Sequence, residues 1–306
     1  MVGLPAVVVG GAPTAHGILD GLMHILVTND DGIDSPGLFA LKQALDPVGD
    51  VSVIAPDSNR SATARSITIG RPLHIEERRL PDGSRGYATD GTPVDCVRFA
   101  VLGLLDEQIP DIVVSGINHG LNLGDDVTYS GTVAAAFEGV LLGWPAIAVS
   151  QQSTNREHWD TGTAEYDFRA VAAFVAKLVP IVADPAFPRQ MMLNVNAPGE
   201  VPQNVTGARA TRLGRRIYND ELQLQSDVDG RRQYLIYGGQ PGHYVEDGTD
   251  SAAIEDGLIS VTPLHFNLTD TDGMSRLSGI DLDVLGRGTA ERDGIGAAGN
   301  RQRGSC

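Results

Sequence analysis

The feature that most constrains this 306-residue chain is a short, mostly apolar run from His24 to Asn29 that ends in two adjacent carboxylates, Asp30 and Asp31. Strands covered on both faces, as in parallel sheets, lose the alternation of apolar and polar residues. The run therefore predicts a buried strand of a parallel sheet. The acidic pair follows its carboxyl end, where open α/β sheets bind their ligands.

The acidic pair has two interpretations. Neighbouring carboxylates repel each other and are costly to keep ionised at the edge of a core unless a cation lies between them. A hard divalent metal ion with oxygen ligands would remove that cost. Alternatively, the segment is an Asn-Asp turn in which an aspartate caps the next helix. The pair by itself does not decide between the two.

Strand and helix patterns alternate along the first two thirds of the chain. Strand-like runs lie at 25–28, 51–55, 111–115, 146–150 and 191–196, and helical patterns at 36–45, 92–105, 132–142 and 164–182. This order predicts an α/β fold with a parallel sheet. We also expect hairpins at 66–76 and about 208–240, the latter as an arm that could make oligomer contacts. A short helix at 252–256 and a strand at 258–262 complete the prediction.

Charge and cysteine content exclude several classes of protein. The chain has 39 acidic and 23 basic residues, for a net charge of -16, so we expect no nucleic-acid polymer as a partner. A small phosphorylated substrate would need a metal ion to offset the repulsion. The two cysteines, Cys96 and Cys306, provide no disulfide framework and favour a reducing, cytoplasmic location. No apolar run approaches the length of a membrane span.

Four loops that follow strand signals carry small polar residues. They lie at 28–32, 57–61, 115–126 and 129–132. In a doubly wound sheet such loops converge on one crevice.

The fourth loop, Ser130-Gly131-Thr132, runs directly into a helical pattern. Free main-chain N–H groups, two hydroxyls and a glycine at a helix N-terminus suit a phosphate, but Ser130 or Thr132 could simply cap the helix. No lysine follows, so this is not a Walker loop. No Gly-x-Gly-x-x-Gly follows the first strand, which disfavours a dinucleotide site.

Two neutral residues could complete a metal site with the acidic pair. Ser61 and Asn118 offer oxygen donors that, beside Asp30 and Asp31, suit Mg²⁺ or Mn²⁺. No His or Cys cluster has the spacing of a zinc site. Each residue also has an ordinary alternative, because Ser61 could bond its own backbone and Asn118 could be a turn residue.

Other polar residues of these loops each have two possible roles. Arg60 could balance a phosphate or face water. His119 could carry a proton or have no catalytic role. Asp125 and Asp126 could contact substrate or cap their loop.

Five ordered motifs resemble one known family. They are Thr-Asn-Asp-Asp-Gly-x-x-x-Pro-Gly, Ala-Pro-Asp-x-Asn-Arg-Ser, Gly-Thr-Pro-x-Asp-Cys, Val-Ser-Gly-Ile-Asn-x-Gly-x-Asn-Leu-Gly-Asp-Asp and Tyr-Ser-Gly-Thr-Val-Ala-Ala-Ala. With them, residues 23–270 resemble the SurE family of metal-dependent 5′/3′-nucleotidases. The chain departs from many relatives at Ile33-Asp34-Ser35, where Asp34 adds negative charge at the rim.

The resemblance implies a Rossmann-like core with a protruding β-hairpin and a C-terminal segment exchanged between subunits of a homodimer or homotetramer. It implies one divalent ion, Mn²⁺ or Mg²⁺, per subunit. The expected metal ligands are Asp30, Asp31, Ser61 and Asn118, of which Asp30, Asp31 and Asn118 are also candidate catalytic residues. The candidate residues for substrate and phosphate are Asn29, Arg60, Asn122, Ser130, Gly131 and Thr132.

The chain is expected to divide into three parts. Residues 1–22 would be an extension, disordered or a mis-assigned start with Met23 as the true beginning. Residues 23–272 would form the α/β phosphatase domain, and residues 273–306 a Gly/Arg-rich tail that is partly disordered.

The resulting hypothesis is a metal-dependent phosphomonoesterase that acts on nucleoside monophosphates. Within this reaction, Asp30 could instead be a covalent nucleophile, although the Asp-x-Asp-x-Thr/Val pattern of aspartyl-phosphate enzymes is absent. A protein that binds nucleotides without turnover and a purely structural α/β subunit are the alternatives from other classes.

Overall fold

The structure is a computed structural model and describes residues 22–105, 109–157, 162–217, 221–236 and 242–287. Its contacts divide the chain at Phe266 and Asn267 into two units, which are described separately. The predicted N-terminal extension (residues 1–22) lies outside the described residues except for residue 22, and the predicted tail (residues 273–306) lies outside them beyond residue 287.

Nine strands of the first unit form one sheet. Numbered in chain order, they are β1 (His24–Thr28), β2 (Asp50–Pro56), β3 (Ile75–Arg79), β4 (Arg85–Thr89), β5 (Ile112–His119), β6 (Ala146–Gln151), β7 (Met191–Ala197), β8 (Ala208–Ala210) and β13 (Ile259–His265). Their order is β3-β4-β2-β1-β5-β6-β7-β13-β8. The six strands from β4 to β7 in this order are mutually parallel. The predicted α/β fold class with a parallel core is therefore confirmed.

Four further strands lie outside the main sheet, namely β9 (Arg216–Ile217), β10 (Leu222–Val228), β11 (Arg231–Ile236) and β12 (Gly242–His243). The α-helices of the first unit are α1 (Pro36–Leu45), α2 (Pro93–Phe99), α3 (Gly131–Leu141), α4 (Arg169–Ala183) and α5 (Asp250–Glu255). A 3₁₀ helix spans Gly124–Thr128. No helix in the described ranges is both long enough and apolar enough to cross a membrane.

Strand β1 lies where the order of the strands changes direction. From β1 the chain continues to β2 on one side of the sheet, and it later continues from β5 to β6 and β7 on the other side. Strand β1 pairs with β2 on one side and with β5 on the other, in parallel both times. The loops after β1 and β5 therefore leave the same edge of the sheet as neighbours. This is the switch point at which doubly wound sheets bind ligands.

Both faces of β1 are covered, which explains its unbroken apolar run. Ile25 and Val27 belong to the core that α1 and α4 cover, whereas Leu26 belongs to the core under α2 and α3. All three side chains are fully buried. A strand buried in this way has no face that selects polar residues.

Within residues 66–119, the local predictions differ from the structure in three places. The hairpin predicted at 66–76 is wrong, because the hairpin is formed by β3 and β4, from Ile75 to Thr89. The strand predicted to stop at residue 115 continues to His119. The helix predicted for 92–105 is α-helical only to Phe99 and then turns π-helical over Ala100–Leu104, where Gly103 has a φ of 101°.

The later arm is a smaller hairpin than predicted. Strands β10 and β11 pair antiparallel around Asp229 and Gly230, whose φ angles of 52° and 78° suit the turn expected for an Asp-Gly pair. Its side chains are almost all exposed. Residues 208–210, predicted as part of the arm, instead form β8 beside β13. Residues 218–220 and 237–241 of the predicted arm lie outside the described residues.

The described part of the second unit, up to residue 287, contains two short helices, α6 (Thr271–Leu277) and α7 (Leu282–Arg287). Asp270 caps α6 by accepting hydrogen bonds from the N–H groups of Asp272 and Gly273. No sequence pattern marks these two helices, which lie mostly in the tail predicted for residues 273–306. Six or seven residues are too few to show a helical repeat.

Candidate active site

Asp30 lies just beyond β1 and is buried against the start of α3. Its carboxylate accepts a hydrogen bond from the hydroxyl of Thr132, and the main-chain N–H groups of Gly131 and Thr132 also favour its charged form. Burial nevertheless raises the pKa of Asp30 above its ordinary value. The positive end of a helix is a favourable place for an anion, so α3 partly offsets the cost of burying this charge.

Asp31 lies beside it against the end of β5. The main-chain N–H of His119 donates to Oδ2 of Asp31 at 3.2 Å. Burial raises the pKa of Asp31 to about 7, and the neighbouring charge of Asp30 adds to the shift. Two carboxylates this close and this buried ionise together only with a cation nearby.

The start of α3 approaches so closely that only glycine fits at position 131. A Cβ on Gly131 would lie 2.8 Å from Cβ of Asp30 and 2.9 Å from its Oδ2. Real Cβ atoms do not come this near, so a side chain here would displace the carboxylate. The glycine of the Ser-Gly-Thr motif is therefore required because any side chain at position 131 would collide with Asp30.

Asn29 braces the turn that carries the two aspartates. Its Nδ2 donates to the carbonyl oxygen of Gly32 at 3.0 Å, and its Oδ1 accepts from the N–H of Gly32 at 3.2 Å. The side chain is fully buried. These contacts give Asn29 a positioning role in the loop, beside the substrate contact predicted for it.

The loop after β2 reaches the acidic pair through its main chain. The N–H of Arg60 donates to the carbonyl oxygen of Asp30 at 2.7 Å, which places Ser61 next to the end of β1. Ser61 itself is half-buried, and its N–H donates to Oδ1 of Asn59 at 2.7 Å. The guanidinium of Arg60 contacts Asp57 at 2.9 Å, so its charge is partly neutralised within its own loop.

Asn118 stands at an irregularity near the end of β5. The pairing of β5 with β6 shifts register between Ser115 and Asn118. The Nδ2 of Asn118 donates to the carbonyl oxygen of Gly120 at 2.9 Å. With the nitrogen bonded there, the oxygen is the atom of this amide that could ligate a cation.

The start of α3 at Ser130 has features of both a helix cap and a phosphate site, the two interpretations of its motif. Ser130 is the N-cap of α3, and its hydroxyl accepts from the N–H of Val133 at 3.1 Å. The hydroxyl of Thr132 is bonded to Asp30. The side chains thus organise the helix start and the carboxylate in this structure. The main-chain N–H groups and the helix dipole are the features that would attract a phosphate.

Asn122 lies in a buried network of polar side chains. Its Nδ2 donates to Oγ of Ser150 at 2.7 Å, and its carbonyl oxygen accepts from Asn194 at 2.9 Å and Asn196 at 3.2 Å. The loop after β5 is thereby fixed over β6 and β7. Asp125 and Asp126 contact Arg216, and Asp126 also contacts His243 at 3.1 Å, so both fasten the same loop.

Tyr166 is a neighbour of the site that the sequence did not indicate. Its ring stacks on His119 with a centroid distance of 4.8 Å, and Phe168 stacks on His119 at 5.5 Å. Burial, together with the charge of Asp31, raises the pKa of Tyr166 to about 12. Burial also lowers the pKa of His119. Tyr166 lies in an irregular segment before α4, which begins at Arg169 and not at residue 164 as predicted, and no motif marks it.

The donor set fits a hard cation. In the described ranges no group of three or more His, Cys, Asp or Glu side chains is arranged to hold a metal ion, so a site here must combine the two aspartates with neutral oxygens. The two carboxylates accept hydrogen bonds from the hydroxyl of Thr132 and from main-chain N–H groups. Carboxylate oxygens from the two aspartates, together with neutral oxygens such as those of Ser61 and Asn118, suit Mg²⁺ or Mn²⁺.

Comparison with known proteins identifies the family. The model of the family described as survival protein SurE matches residues 25–220. This chain belongs to the SurE family. A SurE protein from Rubrobacter xylanophilus, named 5′-nucleotidase SurE, is 52% identical over 86% of this chain and 99% of its own length. One of the same name from Chloroflexus aggregans is 48% identical over 81% of this chain and 94% of its own.

A solved SurE structure confirms the fold. The crystal structure of the SurE protein from Aquifex aeolicus superposes with a TM-score of 0.69 at 37% identity, covering 84% of this chain and 98% of that one. The resemblance inferred from the five motifs is therefore confirmed.

Proposed function

We propose that this chain is a phosphomonoesterase that hydrolyses nucleoside 5′- and 3′-monophosphates to nucleoside and inorganic phosphate. We further propose that it uses one divalent ion per subunit, Mn²⁺ or Mg²⁺, held by Asp30, Asp31, Ser61 and Asn118. The names of the relatives at 52% and 48% identity support the reaction. The observation that carries the metal site is the adjacent, buried pair Asp30 and Asp31 at the switch point of the sheet.

The chain's own residues would provide positioning and charge. Thr132 and the N–H of His119 hold the two carboxylates, and Asn29 fixes the turn between them and Gly32. A divalent ion, when bound, supplies a Lewis acid to the phosphoryl group. Phosphoryl transfer depends mainly on positioning and charge stabilisation, so rigid support of these ligands is what the reaction requires.

Substrate phosphate would be held at the N-terminus of α3. The helix dipole and the N–H groups near Ser130, Gly131 and Thr132 favour an anion there. We propose Arg60 and Asn122 as further substrate contacts, as the resemblance to the family implies. Arg60 would exchange part of its contact with Asp57 for the phosphate, as the 31% exposed guanidinium side chain permits.

Release of inorganic phosphate tests the proposal. Purified protein is assayed with a panel of nucleoside 5′- and 3′-monophosphates, after treatment with EDTA and again after addition of Mn²⁺ or Mg²⁺. We expect release to stop on chelation and to return with the metal. A protein that only binds nucleotides would retain its affinity after chelation and release no phosphate, which would refute the enzymatic proposal.

We also propose a cytoplasmic location and a homodimeric or homotetrameric assembly. The first rests on the absence of a disulfide framework in the sequence. The second rests on the resemblance to the SurE family, and the exposed apolar side chains of the β10–β11 hairpin support it.

A further inference from the structure

The segment that carries Ser61 has no regular structure of its own. Between Ser61 and Thr68 no helix or strand is formed. Ala62 and Ala64 have φ angles of 59° and 51°, in the left-handed region that alanine rarely adopts. Such conformations persist only where the surroundings hold them. The position of Ser61 therefore depends on what anchors this segment, which we call the Ser61 loop (residues 57–68).

The Ser61 loop is anchored at both of its ends. Upstream, the N–H of Arg60 is bonded to the carbonyl oxygen of Asp30, and the N–H of Ala64 to that of Tyr129 at 3.1 Å. Downstream, Thr68 donates to Asp95 at the start of α2 through its N–H and its hydroxyl. Arg65 lies between the anchors at Ala64 and Thr68.

Arg65 makes an ion pair with a buried carboxylate of α3. Its guanidinium lies 2.8 Å from Oε2 of Glu138, whose side chain is 1% exposed. The same guanidinium lies over the ring of Phe266, 4.4 Å from the ring centre, and Phe266 packs edge-on against Phe137. A planar guanidinium between a carboxylate and a ring has little freedom to move.

Glu138 belongs to the helix whose first residues contact Asp30. The pair Arg65–Glu138 therefore connects the loop that carries Ser61 with α3, which begins at Gly131 and Thr132. Arg98, on α2, binds the other oxygen of Glu138 at 2.6 Å. Both arginines neutralise the same carboxylate, but only Arg65 belongs to the Ser61 loop.

We propose that Arg65, held by Glu138, is a positioning residue that fixes Ser61 relative to Asp30 for binding of the divalent ion. This inference rests on the proposed function, since it assumes a cation at these residues. Residues that support metal ligands typically change metal affinity about 10- to 100-fold when they are removed. Because Arg98 contacts Glu138 without carrying the loop, it provides a matched control.

Binding of Mn²⁺, measured by isothermal titration calorimetry on the full chain, tests the inference. Arg65→Gln is compared with Arg98→Gln, and urea unfolding reports the stability of both variants. We expect Arg65→Gln to raise the Kd for Mn²⁺ about tenfold and Arg98→Gln to leave it within about twofold, with similar losses of stability. Arg65→Lys, which keeps the charge without the planar group, should give an intermediate Kd.

A double-mutant cycle with Ser61→Ala tests whether Arg65 acts through Ser61. If it does, Arg65→Gln weakens Mn²⁺ binding much less in the Ser61→Ala background than in the wild type. Equal Kd values for Arg65→Gln and wild type would overturn this inference and leave the proposed function intact. The same holds if Arg65→Gln and Arg98→Gln lose equal Mn²⁺ affinity, or if the effects of Arg65→Gln and Ser61→Ala on Mn²⁺ binding are fully additive. Failure of the wild type to bind Mn²⁺ or to release phosphate would overturn the proposed function, and this inference with it.

Discussion

The hydroxyl of Thr132 donates a hydrogen bond to the carboxylate of Asp30, a residue 102 positions earlier in the chain. Both side chains are buried, Thr132 completely. The bond joins the end of the central strand to the first turn of α3. It therefore couples the candidate metal ligand to the helix N-terminus that would attract the phosphate.

Removal of this hydroxyl should weaken the site. Thr132→Val keeps the shape of the side chain but removes the hydroxyl that donates to the buried carboxylate, which retains only main-chain N–H donors, at a cost of about 1–3 kcal/mol. We expect lower metal affinity and lower kcat/KM for phosphate release, measured by calorimetry and by the release assay. Thr132→Ser, which retains the hydroxyl, should remain close to wild type, and equal behaviour of the two variants would argue against the role of this bond.

A methyl group at position 131 should displace Asp30. In Gly131→Ala the new Cβ would stand 2.8 Å from Cβ of Asp30, so the carboxylate must move. Displacements of about 1 Å at a catalytic group can lower activity about 100-fold, and we expect a loss of that order in kcat/KM.

Gly207→Ala is the control for this variant, because its Cβ would meet only Leu258 at an ordinary 3.5 Å. We expect unchanged phosphate release from it. Activity in Gly131→Ala equal to that of Gly207→Ala would mean that Asp30 tolerates displacement.

The sheet was predictable because its central strands are buried on both faces. Ile25 and Val27 face one core and Leu26 the other, so an apolar run is the direct consequence of the fold. The edge strand β3 was missed for the opposite reason. Its sequence after Ile75 is Glu-Glu-Arg-Arg, and its side chains are mostly exposed, so no apolar pattern marks it.

The decrease in the free energy of unfolding at acidic pH should depend in part on Asp95. Burial by itself would raise its pKa, but hydrogen bonds from Thr92 and Thr68 outweigh it and hold the pKa of Asp95 below its ordinary value of 3.8. A depressed carboxyl pKa contributes stability above the unfolded-state value, and this contribution is lost as the pH falls through the folded-state value.

Urea unfolding of wild type and Asp95→Asn between pH 7 and pH 3 measures this contribution. We expect wild type to be more stable by about 1 kcal/mol near neutral pH, as for other helix caps. The difference should shrink below about pH 4. A difference that stays constant over the whole range would show that ionised Asp95 contributes nothing.

The β10–β11 hairpin should take part in assembly. Leu222, Leu224, Tyr234 and Ile236 are exposed and lie on one face of the hairpin, because Leu222 pairs with Ile236 and Leu224 with Tyr234. Contiguous exposed apolar surface often marks an interaction site, so Leu224→Asp combined with Ile236→Asp should lower the molar mass measured by light scattering on a sizing column. Ile181→Asp, at a 61% exposed position of α4, should not, and an unchanged mass in the hairpin variant would place the interface elsewhere.

The partners of individual site residues are harder to predict from the sequence than the loops that carry them. The motifs placed Asn29, Asn122 and Thr132 near the acidic pair, and the structure has all three bonded to protein groups. An amide or a hydroxyl can bind either a ligand or a neighbouring backbone group, and local sequence does not distinguish the two. The partners of Asn122 are 28 to 74 residues away, where only the tertiary fold brings them together.

The most direct test of the metal site is the binding of Mn²⁺ to wild type and to Asp30→Asn, measured by calorimetry, with circular dichroism to verify that both are folded. We expect one ion per wild-type chain, and loss of both ion binding and phosphate release in Asp30→Asn. Undiminished Mn²⁺ binding and near-normal phosphate release by a folded Asp30→Asn protein would contradict it.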